Sequence, residues 1–134
     1  MERLFTDYDA AWASHDVEKI VPFFTDGCIY VDIASGVVSR GKEELKAFIK
    51  TTLAAFPDYK VKVKSFFIAG DWVGSKWIMS DTRTGPSPNL SPTKKRFSIR
   101  GASITELQEG KIKRNSDYWN MTSFLHQVGL MPND

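Results

Sequence analysis

Residues 110–131 read GKIKRNSDYWNMTSFLHQVGLM, and the rest of the predicted fold is arranged around them. A Glu109-Gly110 turn precedes a run of residues with the character of a strand, which ends at Asn120. Residues 121–128 then have apolar positions at helical spacing. The stretch therefore predicts a last strand that passes directly into a short amphipathic helix.

Alternation along this strand places Asn115, Asp117 and Trp119 on one face of a sheet. A carboxylate beside a large aromatic ring on a concave face has the groups needed for a tuned general acid or base. In the plainer alternative, Asp117 is a surface residue of the strand and Trp119 fills the core. The spacing leaves both interpretations open.

Further strands are predicted before this one. Residues 59–68 pair with residues 72–83 across a tight turn, and residues 95–108 pair with the last strand. Segment 84–93 contains three prolines and one glycine, which exclude regular structure and predict a loop. We expect this loop to form the rim or lid of a pocket, or to pack against a second subunit.

The N-terminal half predicts three helices. Apolar residues recur at helical spacing over 4–12, Asp16 caps a second helix that Pro22 keeps short, and a third helix covers 41–56. A strand over 28–33 separates the second helix from the third. Helices followed by long antiparallel strands indicate an α+β domain with its helices on one face of the sheet.

Composition narrows the class of protein. The 134 residues suit a single domain over 1–134, and 42% hydrophobic with 25% charged residues is typical of a globular protein. A net charge of +2 predicts no attraction to nucleic acid or to an anionic membrane.

Cys28 is the sole cysteine, so we expect a buried small side chain and no cysteine metal site. Without a recognisable secretory signal, a reducing cytoplasmic location is expected.

A family resemblance covers most of the chain. The segments AWASHDVEKIVPFFTDGCIYVD, GKEELKAFIKTTLAAFPD, GASITEL and GKI…DYWN…LHQVGL resemble the SnoaL-like polyketide cyclases, a branch of the NTF2-like superfamily. The resemblance implies a cone-shaped fold, in which three N-terminal helices pack on a curved mixed or antiparallel sheet. The sheet and helices would enclose one pocket, with a short helix at the C-terminal end.

The resemblance also implies an activity. Counting back from Gln127, Asp117 matches the aspartate that acts as general acid and base in these cyclases. The implied enzyme is a cofactor-independent cyclase or isomerase that acts on a hydrophobic carbonyl compound and uses no metal. Ser103 departs from the pattern, because many members have a histidine there, and serine cannot share protons at neutral pH. Asn120 also departs, and the simplest interpretation of it is a helix N-cap.

Tyr30 and Asp32 lie two apart on the first predicted strand and share a face. They resemble the Tyr-x-Asn pair of limonene epoxide hydrolases. The matching Arg-x-Asp of those enzymes is absent, because the corresponding strand contains Lys76-Trp77-Ile78-Met79. We therefore expect Tyr30 and Asp32 to be polar groups of the pocket, or plain strand residues.

The predicted pocket is mainly apolar. Four Trp, four Tyr and nine Phe are a high share of the chain, and they favour a flat hydrophobic ligand. His15 and His126 are not expected to be catalytic. The expected substrate-binding residues are Trp12, Tyr30, Asp32, Phe48, Trp77, Met79, Ser103, Asn115, Trp119 and Phe124.

Three functions fit these observations. The first is the enzyme described above, and the second is a module that binds a hydrophobic small molecule without turnover. The third is a structural role with the sheet as a dimer surface. We expect a homodimer through the sheet, because the predicted strands place Trp72, Phe97 and Ile99 on faces that the pocket cannot use.

Overall fold

The computed structural model describes residues 2–82 and 95–130, so the predicted loop over 84–93 lies outside the described residues. Within the described ranges the chain forms four α-helices, one 3-10 turn and six strands. The helices are α1 (Glu2–Ala13), α2 (Val17–Ile20), α3 (Gly41–Ala55) and α4 (Met121–Gln127), and the 3-10 turn is Val21–Phe23. The strands are β1 (Phe24–Asp32), β2 (Val37–Arg40), β3 (Lys60–Ala69), β4 (Trp72–Thr82), β5 (Arg96–Gln108) and β6 (Lys111–Trp119).

The strands form one mixed sheet in the order β2-β1-β6-β5-β4-β3. Strand β6 pairs in parallel with β1 and antiparallel with β5, so it lies near the middle of the sheet. Its residue Asp117 stands beside Asp32 of β1 and Ser103 of β5. The predicted α+β cone is confirmed, with helices packed on a curved sheet.

The helix boundaries follow the capping chemistry. The Asp16 side chain accepts a hydrogen bond from the backbone N–H of Glu18 at 3.0 Å, and Pro22 falls in the 3-10 turn that ends the short second helix. Asn120 caps α4 in the same way, because its side-chain oxygen accepts from the backbone N–H of Ser123 at 3.0 Å. The N-cap interpretation of Asn120 is confirmed.

The buried side chains form two clusters. The first lies beneath α1, α2 and α3 against β1, and it contains Cys28, which is fully buried as expected. The second joins α4 to β4 and β5 around Trp77, Phe97 and Phe124. Among the described residues, no helix is long and apolar enough to cross a membrane.

The outer face of the sheet differs from the prediction. Phe97 and Ile99 were expected on the outside, but both are buried in the second cluster. The physical reason is register: Phe97 and Ile99 alternate with the exposed Ser98 and Arg100, so their side chains face the helices. The large apolar side chains exposed on the outer face are Phe67, Trp72, Ile104 and Tyr118, so Trp72 lies outside the pocket as expected.

Candidate active site

A cavity of about 1760 Å³ lies between α1 and the inner face of β3–β6. Helix α1 contributes Tyr8, Asp9 and Trp12 to one wall. The sheet contributes the opposite wall, and Asp117 of β6 lies on it. Six of the residues predicted for the site line this cavity: Trp12, Tyr30, Trp77, Ser103, Asn115 and Asp117.

The Asp117 carboxylate accepts hydrogen bonds from three side chains. Ser103 Oγ donates to Asp117 Oδ1 at 2.6 Å, and Asn115 Nδ2 donates to the same oxygen at 2.8 Å. The Tyr30 hydroxyl donates to Oδ2 in a short hydrogen bond. The three donors come from β1, β5 and β6, which the strand register brings together around one carboxylate.

Two of these donors are themselves held by a further side chain. Trp77 Nε1 donates to Ser103 Oγ at 2.8 Å, which leaves the serine proton directed at Asp117. Thr105 Oγ1 donates to Asn115 Oδ1 at 2.6 Å, so the amide nitrogen of Asn115 faces Asp117. The Ser103 hydroxyl and the Asn115 amide are therefore fixed in orientation before a substrate arrives.

The electrostatics of Asp117 reflect two opposing effects. Burial deep in the protein raises the pKa of this carboxyl above its ordinary value, and the nearby Asp32 charge adds to that rise. Hydrogen bonds from Ser103, Tyr30 and Asn115 lower the pKa, but burial prevails. Because the side chain still has partial access to the cavity, it can exchange a proton with a bound molecule.

The α1 wall contains polar groups that the sequence analysis did not single out. Tyr8 lines the cavity one helical turn before Trp12. Tyr59 lies beside Trp12, with ring centroids 6.1 Å apart, and its hydroxyl donates to Met79 Sδ at 3.8 Å. The sequence signal for Tyr8 is its place four residues before Trp12, on the same face of the first predicted helix.

Five residues predicted for the pocket lie outside its lining. Asp32 accepts a hydrogen bond from Trp119 Nε1 at 2.8 Å. The Trp119 ring packs against Phe124 of the second cluster, with ring centroids 5.8 Å apart, and does not line the cavity. Phe48 packs behind Tyr30, with ring centroids 5.3 Å apart, and Met79 and Phe124 are buried in the second cluster. Packing or a hydrogen bond inside the protein holds each of these five side chains away from the cavity. The five are Asp32, Phe48, Met79, Trp119 and Phe124.

The histidines and the cysteine do not form a reactive group with Asp117. His15 Nε2 donates to the backbone oxygen of Tyr59 at 2.7 Å, and His126 lies in the last turn of α4. Burial raises the pKa of the Cys28 thiol, which disfavours its thiolate. Within residues 2–82 and 95–130, no three His, Cys, Asp or Glu side chains are grouped as metal ligands.

Solved structures share this fold. A Jannaschia sp. CCS1 protein, provisionally assigned as a SnoaL-like polyketide cyclase, matches with TM-score 0.85 and 18% identity over 98% of this chain and 92% of its own. A hypothetical protein of ketosteroid isomerase-like fold from Catenulispora acidiphila DSM 44928, crystallised with trimethylamine, matches with TM-score 0.82 and 23% identity over 96% of this chain and 93% of its own. At these identities the similarity establishes the fold.

Sequence comparison identifies the family. A comparison with curated proteins found no match. The family model for SnoaL-like polyketide cyclase matches residues 2–128, which is nearly the whole chain and includes every residue of the site described above. This protein therefore belongs to the SnoaL-like polyketide cyclase family.

Proposed function

We propose that this protein is a cofactor-independent cyclase or isomerase that acts on a hydrophobic carbonyl compound, with Asp117 as general acid and base. The observation that carries the proposal is the Asp117 carboxylate, which lies in a large cavity and is held by three oriented donors. A carboxylate with a raised pKa, placed where it can reach a ligand, is the feature that general acid–base catalysis requires.

The proposed reaction moves one proton twice. Asp117 removes a proton from a carbon next to a carbonyl group, and the electrons of the broken C–H bond form an enolate. In a cyclase, the enolate carbon attacks a second carbonyl carbon of the same molecule, which forms a C–C bond and places the negative charge on oxygen. Asp117 then returns the proton to that oxygen. In an isomerase the proton returns to a different carbon, and in both cases the carboxylate is regenerated.

The cavity wall favours substrates that are largely apolar. Aromatic side chains from α1, β1 and β4 line it, including Trp12, Tyr30 and Trp77. Such a wall stabilises a flat hydrophobic molecule, while the few polar groups around Asp117 orient its carbonyl. Hydrophobic β-keto esters and ketosteroids combine an acidic C–H with a flat apolar body, and they are the first substrates to test.

The test is Asp117→Asn, which keeps the shape of the side chain but cannot accept a proton. Turnover of any true substrate is expected to be abolished, while ligand affinity stays within roughly tenfold, or about 1.4 kcal/mol. Turnover on a panel of β-keto esters and ketosteroids, with binding followed by tryptophan fluorescence, measures both effects. Asp26→Asn makes the same change on a fully exposed carboxylate outside the cavity lining and is expected to retain activity. Equal turnover by wild type and Asp117→Asn would reject the acid–base role.

A second candidate function is binding of a hydrophobic small molecule without turnover. Ser103 favours it, because this residue donates to Asp117 and offers no second titrating group. Tight binding of panel compounds with no turnover by either wild type or Asp117→Asn would support the binding module instead.

A further inference from the structure

Asp9 is a second carboxyl in the lining of the cavity, and the proposed mechanism does not use it. It lies half-buried on α1, on the wall opposite Asp117. Within the described residues, Asp9 accepts no hydrogen bond and forms no ion pair. Burial raises its pKa to about 6, and among these residues no positive charge or hydrogen-bond donor opposes that rise. Carboxylates removed from water are normally paired, so this one is available to a positively charged group of a ligand.

Aromatic side chains lie beside Asp9 on the same wall. Phe5 is four residues before it and Trp12 three residues after it, so all three side chains share one face of α1 and line the cavity. Tyr59 extends this aromatic surface, because its ring centroid lies 6.1 Å from that of Trp12. Aromatic rings attract cations through their negative faces, and a carboxylate beside them adds its full charge. The α1 wall therefore has the groups that bind an alkylammonium ion.

The basic residues at the border of the cavity do not neutralise Asp9. Lys60 and Lys62 alternate with valines that pair with buried residues of β4, so both lysines point to the outer face. Arg96 is exposed and precedes a buried phenylalanine, and Lys64 lies at the bulge of β3 beside a separate hollow on the outer face. Among the described residues of β3–β6, no Lys or Arg thus faces the interior. The cavity is expected to attract cations and to repel anions.

We propose that Asp9, with the rings of Phe5 and Trp12, binds a positively charged nitrogen of the ligand, and that the substrate is a carbonyl compound with an amine or quaternary ammonium group. The carbonyl part of this statement rests on the proposed function. The cation subsite does not, because a binding module would use it in the same way. Since α1 and β6 form opposite walls, the nitrogen lies toward α1 and the reacting carbonyl lies at Asp117.

The first test compares two probes of the same shape, phenyltrimethylammonium and tert-butylbenzene, with binding followed by tryptophan fluorescence near neutral pH. Wild type is expected to bind the cation at least about tenfold more tightly than the neutral probe. Asp9→Asn is expected to lose this preference and to keep its affinity for tert-butylbenzene, which shows that the cavity is intact. Asp7→Asn, at an exposed position of the same helix, is expected to behave as wild type.

Three results of this comparison would overturn the inference. The first is a wild type without the preference, and the second is a preference that survives in Asp9→Asn. The third is a preference that disappears in Asp117→Asn and not in Asp9→Asn, because the cation would then lie at the proposed base.

The second test uses pH, because the charge of phenyltrimethylammonium does not change with pH. Its affinity for wild type is expected to fall about tenfold from pH 7 to pH 5, as the Asp9 carboxyl becomes protonated, while that of tert-butylbenzene stays constant. The tyrosines of the lining, Tyr8, Tyr30 and Tyr59, have raised pKa values and stay protonated throughout.

The Asp9→Asn profile separates Asp9 from the other titratable groups of the lining. Besides the basic residues named above, these are His15, Asp58, Asp81 and Asp117. Asp9→Asn is expected to bind the cation weakly and almost equally at both pH values. A tenfold fall that persists in Asp9→Asn, or no fall in wild type, would overturn the inference.

Turnover distinguishes failure of the subsite from failure of the proposed function. With a β-keto ester that bears a trimethylammonium group, Asp9→Asn is expected to raise KM at least about tenfold with little change in kcat, because the cation is bound equally before and during the reaction. The tert-butyl analogue is expected to show no such change. If Asp117→Asn is inactive while wild type treats both esters alike, the subsite is rejected and the proposed function stands. If neither ester is turned over but the binding preference is lost in Asp9→Asn, the subsite stands and the proposed function is rejected.

Discussion

Asp117 and Asp9 are two carboxyls of one cavity, and their surroundings differ. Asp117 has three donors that partly offset the cost of burial. Burial raises the pKa of Asp9, on α1, from the ordinary 3.8 to about 6. An acid whose pKa is raised by folding is more stable in the folded protein when protonated, so each of these groups makes stability fall as pH rises.

Asp9 gives a measurable case of this linkage. The stability that the protonated Asp9 carboxyl contributes to the fold is complete below pH 3.8 and is lost as pH rises to about 6. In Asp9→Asn that dependence is absent, so the variant is expected to gain stability relative to wild type as pH rises through this window. Urea midpoints measured across the window test the sign. Asp7→Asn, at an exposed position of the same helix, serves as control, and a wild-type-like profile for Asp9→Asn would contradict the prediction.

At the residue scale, the sequence placed Asp117 and its polar neighbours in the cavity better than it placed the apolar residues of the cavity wall. Alternation along predicted strands correctly put Asn115 and Asp117 on one inner face, because that pattern is local. It placed Trp119 there as well, although this residue donates a hydrogen bond to Asp32 and packs on Phe124. Tyr8 was missed because a tyrosine within an apolar helical stripe has the same pattern whether its hydroxyl meets a cavity or the surface.

At the element scale, capping chemistry and hairpin turns carried most of the information. The N-caps Asp16 and Asn120, the Pro22 break and both hairpins were predicted from neighbouring residues. The short strand β2 and the parallel pairing of β1 with β6 were not predicted. That pairing joins segments far apart in the chain, and no local pattern specifies it.

The backbone of β5 at Gly101 lies directly against the Trp77 ring of β4, which allows a test by substitution. A Cβ at Gly101 would lie 2.3 Å from the Trp77 ring, which is only 8% exposed and donates to Ser103. Gly101→Ala is therefore expected to displace Trp77 and to lower the free energy of unfolding by about 1–3 kcal/mol. Denaturant unfolding measures the loss, and tryptophan fluorescence reports the displaced ring.

Gly74→Ala is the matched control on the outer face. A Cβ there would lie 2.4 Å from the Phe67 ring, but Phe67 is 66% exposed and can rotate into solvent. We expect a loss well below that of Gly101→Ala. Equal losses in the two variants would show that the buried Trp77 contact does not determine the cost.

At the scale of the whole molecule, the outer face of the sheet exposes apolar side chains within the part of the chain that the structure describes. Phe67, Trp72, Ile104 and Tyr118 expose apolar surface on neighbouring strands. We expect this face to form a homodimer, because contiguous exposed apolar surface marks interaction sites. Light scattering at micromolar concentration is expected to give twice the mass of the chain.

Ile104→Lys tests which surface is used. A charge in the apolar face is expected to convert the dimer to a monomer. Val37→Lys introduces the same charge at an exposed apolar side chain of the edge strand β2, away from the proposed face, and is expected to remain dimeric. A wild-type monomer, or a dimer unaffected by Ile104→Lys, would contradict this assignment.

The position of β6 also has a consequence for how the protein is made. The strand is last of the six described strands in chain order, yet it occupies the space between β1 and β5. While a ribosome is still synthesising the chain, β1 has no neighbour on that side, and Tyr30 has no carboxylate to meet. Assembly of the two halves of the sheet therefore waits for residues 111–119 to emerge, and the carboxylate that completes the site arrives with the strand that closes the fold.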